Sequence, residues 1–188
     1  MDWKRASYTY DLIPWIFGEI GLVRRLQGRR SLICRILLPE AGRPMIRKIR
    51  TLFPDAVPDR RGQAQIGKRI QSYLAGSEVD FRLENLDFVG LKGFSRRVLT
   101  ATGKIPRGNV MTYGRLAASV GVPSGARAVG NAMAGNPFPL VIPCHRVVRR
   151  DGSLGGFGGG PEMKKTLLEL EGVAFDPRGR VLPAHLLK

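Results

Sequence analysis

Cys144 and His145 stand side by side in the stretch Val141-Ile-Pro-Cys-His-Arg-Val-Val148, in a chain holding only two cysteines and two histidines. A thiol with a pKa near ~8.5 is only a few per cent ionised at neutral pH, and the thiolate is the nucleophile. An adjacent imidazole can accept the proton, directly or through water. It does so best when a carboxylate holds its other nitrogen. Pro143 fixes the backbone before the sulfur and removes a donor, so the thiol falls where a strand-like run stops. A bare Cys-His dipeptide also arises by chance, so the pair alone decides nothing. The other cysteine, Cys34, lies inside the apolar run Ile33–Leu38 and reads as core.

The elements that must hold this pair begin far upstream. Three short apolar runs, Leu12–Phe17, Gly21–Val23 and Ser31–Leu38, are separated by glycine and paired arginines and predict strands. Residues 43–53 place Met45, Ile46, Ile49, Leu52 and Phe53 at helical spacing, and residues 63–75 do the same with Ile66, Ile70, Tyr73 and Leu74. Residues 1–90 therefore read as a small mixed α/β unit.

The pattern resets around Asn85–Gly93. Gly93–Leu99 opens a helix that should end before the turn Ile105-Pro-Arg-Gly108. Thr112–Gly121 predicts a short helix with Tyr113, Leu116, Ala117 and Val120 on one stripe. Gly121-Val-Pro-Ser124 predicts a turn, with Ser124 capping a second helix over 125–134. Two short helices joined by a tight turn make a helix-turn-helix candidate, although αα-corners also occur in proteins that never meet DNA.

The second helix is informative for what it lacks. Val129, Ala132 and Met133 form its core stripe, and Arg127, Gly130, Asn131 and Ala134 its opposite face. A helix that reads the major groove usually carries several long polar side chains. A smooth helix with one arginine suits close approach to a narrower groove, with that arginine entering the base stack. An alanine-rich packing helix with one exposed arginine has the same sequence.

Charge points the same way. Lys and Arg number 31 against 15 Asp and Glu, a formal net charge of +16, and residues 92–188 hold 15 of the basic residues and 5 of the acidic ones. Such an excess favours a polyanionic partner, nucleic acid before an anionic membrane. Two cysteines without a CxxC spacing make neither a disulfide scaffold nor a zinc site, so no metal is expected. Free thiols, no apolar secretion signal and no run of transmembrane length predict a soluble, intracellular protein.

Several motifs occur together in order: Ile105-Pro-Arg-Gly108, Tyr113, Arg127-Ala-Val-Gly130, Asn136-Pro137, Pro143-Cys-His-Arg-Val147, Gly159-Gly160 and Leu167-Leu-Glu-Leu-Glu-Gly172. From Phe94 to Gly172 the chain resembles the O6-alkylguanine-DNA alkyltransferases (methylated-DNA–protein-cysteine methyltransferases), whose signature is the Pro-Cys-His-Arg core. Residues 1–90 resemble that family only in size and order of elements. The resemblance implies an RNase H-like α/β support domain over 1–90, a winged helix-turn-helix alkyl-acceptor domain over 91–174, and a tail over 175–188.

It also implies roles. Cys144 would accept the O6-alkyl group of a flipped guanine, or less readily that of O4-alkylthymine, irreversibly and once per molecule, with no cofactor. His145 would be the base acting through water, and Glu171 the carboxylate that orients it. Tyr113 would donate to the leaving guanine, and Asn136 would brace the active-site turn. Arg127 would fill the vacated space in duplex DNA, with Ser95, Thr112, Ala126, Gly130 and Asn131 along the minor groove. Met133, Val147, Phe157 and Gly158 would line the base pocket. The implied partner is double-stranded DNA, bound by a monomer with cooperativity left open, in the cytoplasm: at the nucleoid of a prokaryote, or in a eukaryotic nucleus.

Where many relatives carry larger residues and a serine, the pocket loop reads Gly155-Gly-Phe-Gly-Gly-Gly160. A looser loop predicts weaker discrimination among alkyl groups. Arg149-Arg150 could touch phosphates, or simply form a solvated turn. His185 in the tail reads as a surface residue. Two other classes stay in view: a non-catalytic alkyltransferase-like lesion binder, which lacks the acceptor cysteine, and a transcription factor, which needs more base-reading side chains than Arg127 and Asn131.

Overall fold

Alternating burial along the first strand organises the N-terminal unit. In the computed structural model, which describes residues 7–28, 30–59, 65–81, 83–91 and 93–187, β1 (Ser7–Trp15) turns through Ile16 and Phe17 into β2 (Gly18–Gln27). β3 (Arg30–Leu37) pairs antiparallel to β2, while the short β4 (Val57–Pro58) runs parallel to β1, giving the order β3-β2-β1-β4. The chain folds as two compact units, Met1–Val89 and Gly90–Lys188.

Two strand expectations change for identifiable reasons. The run Leu12–Phe17 is not one strand, because Gly18 at φ +118 closes a hairpin that leaves Ile16 exposed. Nor does the pair Arg24-Arg25 interrupt β2. Arg24 is buried, with Nη2 bonded to Asp11 Oδ2 at 3.0 Å and to Asp59 Oδ2, and Arg25 Nε reaches Asp87 Oδ2 at 2.7 Å. Paired in this way, a guanidinium can stay inside a strand; removing it would strand buried carboxylates.

α1 (Met45–Leu52) and α2 (Gln65–Leu74) complete the unit. Residues 1–6 and residues 63–64 of the second expected helix lie outside the described residues. α1 crosses β2 so closely that a Cβ on Gly21 would sit 2.9 Å from Met45 Sδ. Val23, Leu37, Met45 and Ile49 form this core, with Tyr8, Tyr10 and Leu12 packed against it. Each such large apolar side chain contributes roughly 1.5–3 kcal/mol when fully buried.

The second unit is mostly helical. α3 (Gly93–Thr102) leads through the Ile105–Gly108 turn to β5 (Met111–Thr112), α4 (Tyr113–Ser119) and α5 (Ala126–Ala134). Thr112 caps α4 by accepting a hydrogen bond from Arg115 N at 3.2 Å. Ser124 does not cap α5: Gly125 holds that position, without a side-chain bond. Val129, Ala132 and Met133 are buried as the spacing predicts, and Arg127, Asn131 and Ala134 face out.

Beyond α5 the apolar run does not form the long strand its composition suggests. Leu140 adopts φ +74, Cys144–Arg146 make one 3-10 turn, and only Val147–Val148 (β6) pair, parallel to β5. α6 (Gly160–Leu170) then packs behind this segment, with Met163, Leu167 and Leu168 buried. The tail folds back. Val181 joins a core with Val110, Val148, Leu168 and Val173, and Leu186 bridges to Val110. His185 is no mere surface residue, since its Nδ1 bonds Gly108 O at 2.8 Å and its Nε2 accepts from Ala174 N at 3.0 Å.

Candidate active site

The turn that carries Cys144 is held by a single side chain at both ends. Asn136 Nδ2 donates to Ile142 O at 3.0 Å, while its Oδ1 accepts from Phe138 N at 3.0 Å. Between these anchors Leu140 sits in the left-handed region, which costs a non-glycine residue roughly 1–2 kcal/mol. The brace and the strain together aim the next turn. Cys144 is then 7% exposed, and it opens onto a cavity of about 690 Å³.

That cavity is lined by Tyr113 and Gly114 of α4, by Ala126, Arg127, Gly130, Met133 and Ala134 of α5, and by Arg149, Arg150 and residues 155–158. Among the residues expected to line a pocket, Met133, Phe157 and Gly158 do so. Val147 does not: its side chain is buried in β6, and its carbonyl turns to Lys164 instead. Ala126, Arg127 and Gly130 share the cavity wall; Asn131 is exposed on α5 outside it, Thr112 caps α4, and half-buried Ser95 lies on α3.

Next to Cys144 in the chain, His145 is buried together with Glu171, with Nε2 and Oε1 at 2.9 Å. Arg146, which the sequence reading passed over, closes the group by donating from Nε to Glu171 Oε2 and from Nη2 to Oε1, both at 2.8 Å. Burial pushes the Glu171 carboxyl up, but His145 and Arg146 outweigh it and hold the group well below the usual carboxylate range. Burial holds the His145 imidazole below its ordinary value, against the pull of Glu171. An ionised Glu171 thus faces a neutral ring whose Nε2 carries the hydrogen, which leaves Nδ1 as the basic nitrogen.

Burial pushes the Cys144 thiol up, opposed by Asn136, by the Lys164 charge and by backbone N–H groups. Burial also raises the Tyr113 phenol, keeping it a donor, and its Oη lies 3.5 Å from Gly156 O.

Lys164 was missed as well. It is fully buried on α6, on the same stripe as Met163, Leu167 and Leu168. A lysine at apolar helical spacing was the available signal.

The buried Cys144 thiol on a cavity of about 690 Å³, next in the chain to the buried His145–Glu171 pair, agrees with comparisons with known proteins. The family profile described as "6-O-methylguanine DNA methyltransferase, DNA binding domain" matches residues 93–173. The methylated-DNA–protein-cysteine methyltransferase of Mycolicibacterium paratuberculosis is 40% identical over 143 residues, covering 72% of this chain and 86% of that protein. The chain belongs to this family. The protein of the same name from Methanothermobacter thermautotrophicus is 50% identical over 107 residues, 57% of this chain and 60% of that one, so the chain spans under two thirds of that relative. The methyltransferase fold extends to both units: the crystal structure of Mycobacterium tuberculosis OGT in complex with DNA superposes with a TM-score of 0.67 at 33% identity, covering 88% of this chain and 92% of that one.

Proposed function

We propose that this methyltransferase repairs DNA by direct reversal, taking the O6-alkyl group of an extruded guanine, and less readily the O4-alkyl group of thymine, onto Cys144 Sγ. The observation that carries this reading is the opening of Cys144 into the cavity, next in the chain to His145 and its buried contact with Glu171. The S–C bond forms as the O6–C bond breaks in line. Guanine departs with the bonding electron pair and takes a proton donated by Tyr113, while the thiol proton passes through water to His145. The thioether has no route back, so each molecule acts once, and the reaction consumes no cofactor.

The finer architecture follows from the same residues. Residues 1–90 act as an RNase H-like support domain, and 91–174 as a winged helix-turn-helix in which α5 lies in the minor groove of double-stranded DNA. The exposed, small-residue face of α5 supports that groove, because it lets the backbone approach closely. Arg127 enters the stack and offsets part of the few kcal/mol that flipping costs. The chain acts as a monomer on nuclear or nucleoid DNA. Among the described residues no helix is long and apolar enough to cross a membrane.

The deciding experiment is incubation with a duplex containing O6-methylguanine, followed by peptide mass analysis. The peptide holding Cys144 gains one methyl group, and Cys144→Ala gains none. Tight lesion binding without any mass change would instead assign the chain to the non-catalytic lesion binders.

A further inference from the structure

Lys164 spends its hydrogen-bonding capacity on the backbone. Its Nζ donates to Val147 O at 2.6 Å, to Leu154 O, and to Gly156 O at 3.4 Å. An ammonium has three donors and here meets three carbonyls, one on β6 and two in the loop that walls the cavity. The ammonium also lies 6.0 Å from the centre of the Tyr113 ring, within cation–π reach. Gly156 O is shared, since Tyr113 Oη lies 3.5 Å from it. Gly155, at φ +69, brings the loop so close to that ring that a Cβ would sit 2.9 Å from Tyr113 Cε2. Loop, phenol and ammonium form one interlocked unit.

Such a cation is expensive to keep. Burial pulls the Lys164 ammonium down to about 8. An apolar side chain of similar length would fill the same stripe of α6 without that penalty. The charge is therefore retained for what it holds in place.

Building on the reading of Cys144 as the alkyl acceptor, we propose that Lys164 is a positioning residue that fastens the 154–158 loop across the cavity, fixing Tyr113 and the pocket wall for transfer. The fastening requires the protonated amine, because a neutral amine has two N–H groups for three carbonyls and no charge. The titratable and charged groups around it are Cys144 and His145 on the 3-10 turn, Tyr113 at the start of α4, and Arg149 after β6. The Cys144 charge favours the ammonium and Arg149 disfavours it. Loss of the Lys164 proton in alkali loosens the wall, and transfer should therefore fall above about pH 8.

The test follows the loop and the reaction separately in the full chain, in Lys164→Met and in Lys164→Arg. Amide hydrogen exchange of the peptide spanning 149–160, corrected for intrinsic rate, reports the loop; single-turnover transfer from O6-methylguanine duplex reports the reaction. In Lys164→Met the loop loses protection and transfer slows by roughly tenfold or more, with duplex affinity within about twofold. In the unaltered protein protection and rate fall together above about pH 8, whereas Lys164→Arg, whose guanidinium stays charged, holds both level to about pH 9.5. Unchanged loop protection in Lys164→Met, or an unaltered protein whose loop is equally protected from about pH 7 to 9.5, overturns the proposal. If Lys164→Met does not fold, the pH series of the unaltered protein and Lys164→Arg decides. If the unaltered protein transfers no methyl group at any pH, the reading of Cys144 fails while the exchange data still judge the fastening.

Discussion

His145 Nε2 and Glu171 Oε1 meet at 2.9 Å with neither side chain exposed to solvent. The carboxylate also takes two bonds from Arg146, so one anion sets the ring's orientation and balances a guanidinium. Glu171→Gln keeps the shape, removes the charge and turns an amide donor toward another donor. The expected loss is about 3–5 kcal/mol of stability, read by urea unfolding. Alkyl transfer should slow by roughly 10²–10⁴, the usual worth of a positioned base. A variant as stable and as fast as the parent would show the contact to be incidental.

Acid should weaken the fold in a defined order. His145 is held below its ordinary value by burial, so the unfolded chain binds more protons below about pH 6.5 and stability falls as pH drops through that point. Glu171 is depressed too; its contribution is complete above about pH 4.3 and is lost as pH falls further. The urea midpoint should begin to fall below about pH 6.5, and His145→Gln should remove that early decline. A midpoint level from about pH 7 to 5 would contradict this assignment.

Asn136→Ala cuts both anchors of the turn before Cys144 and removes a group that lowers the thiol. The thiol pKa should rise, read from the pH dependence of iodoacetamide labelling. Stability should drop by about 1–3 kcal/mol, because a buried carbonyl and a buried N–H lose their partner. An unchanged labelling profile would remove Asn136 from the chemistry and leave it a purely structural brace.

Arg127 projects from the exposed face of α5 at the cavity wall. Arg127→Ala should slow repair of duplex DNA by about tenfold or more, because nothing then fills the gap left by the flipped base. Reaction with the free alkylated base should be unaffected. Equal losses on both substrates would argue against the finger role.

The helices of this protein were far more legible than the segment that carries the reaction. Stripes such as Val129, Ala132 and Met133 obey a period that burial enforces, so α5 and its exposed face can be read directly. Arg24 looked like a strand breaker because its neutralising partners, Asp11 and Asp59, are brought to it only by the sheet. The run Val141–Val148 looked extended because its composition is that of a strand. Asn136 folds it instead, through two backbone bonds that no hydrophobic pattern encodes. Cys144, His145 and Glu171 were recognised by motif, but the shifts of the thiol and the ring follow from burial and that of Glu171 from its bonds to His145 and Arg146. Lys164 escaped notice because lysine is ordinarily read as surface.

On the proposed reaction one sulfur is spent once, so the lifetime supply of repair equals the number of molecules whose Cys144 thiol is intact. Cys144 is 7% exposed and its burial disfavours the thiolate, the form that attacks peroxides and disulfides. Cys34 is guarded the same way, pushed up to about 11. Idle molecules therefore resist oxidative wear, and the stock stays loaded until a lesion arrives.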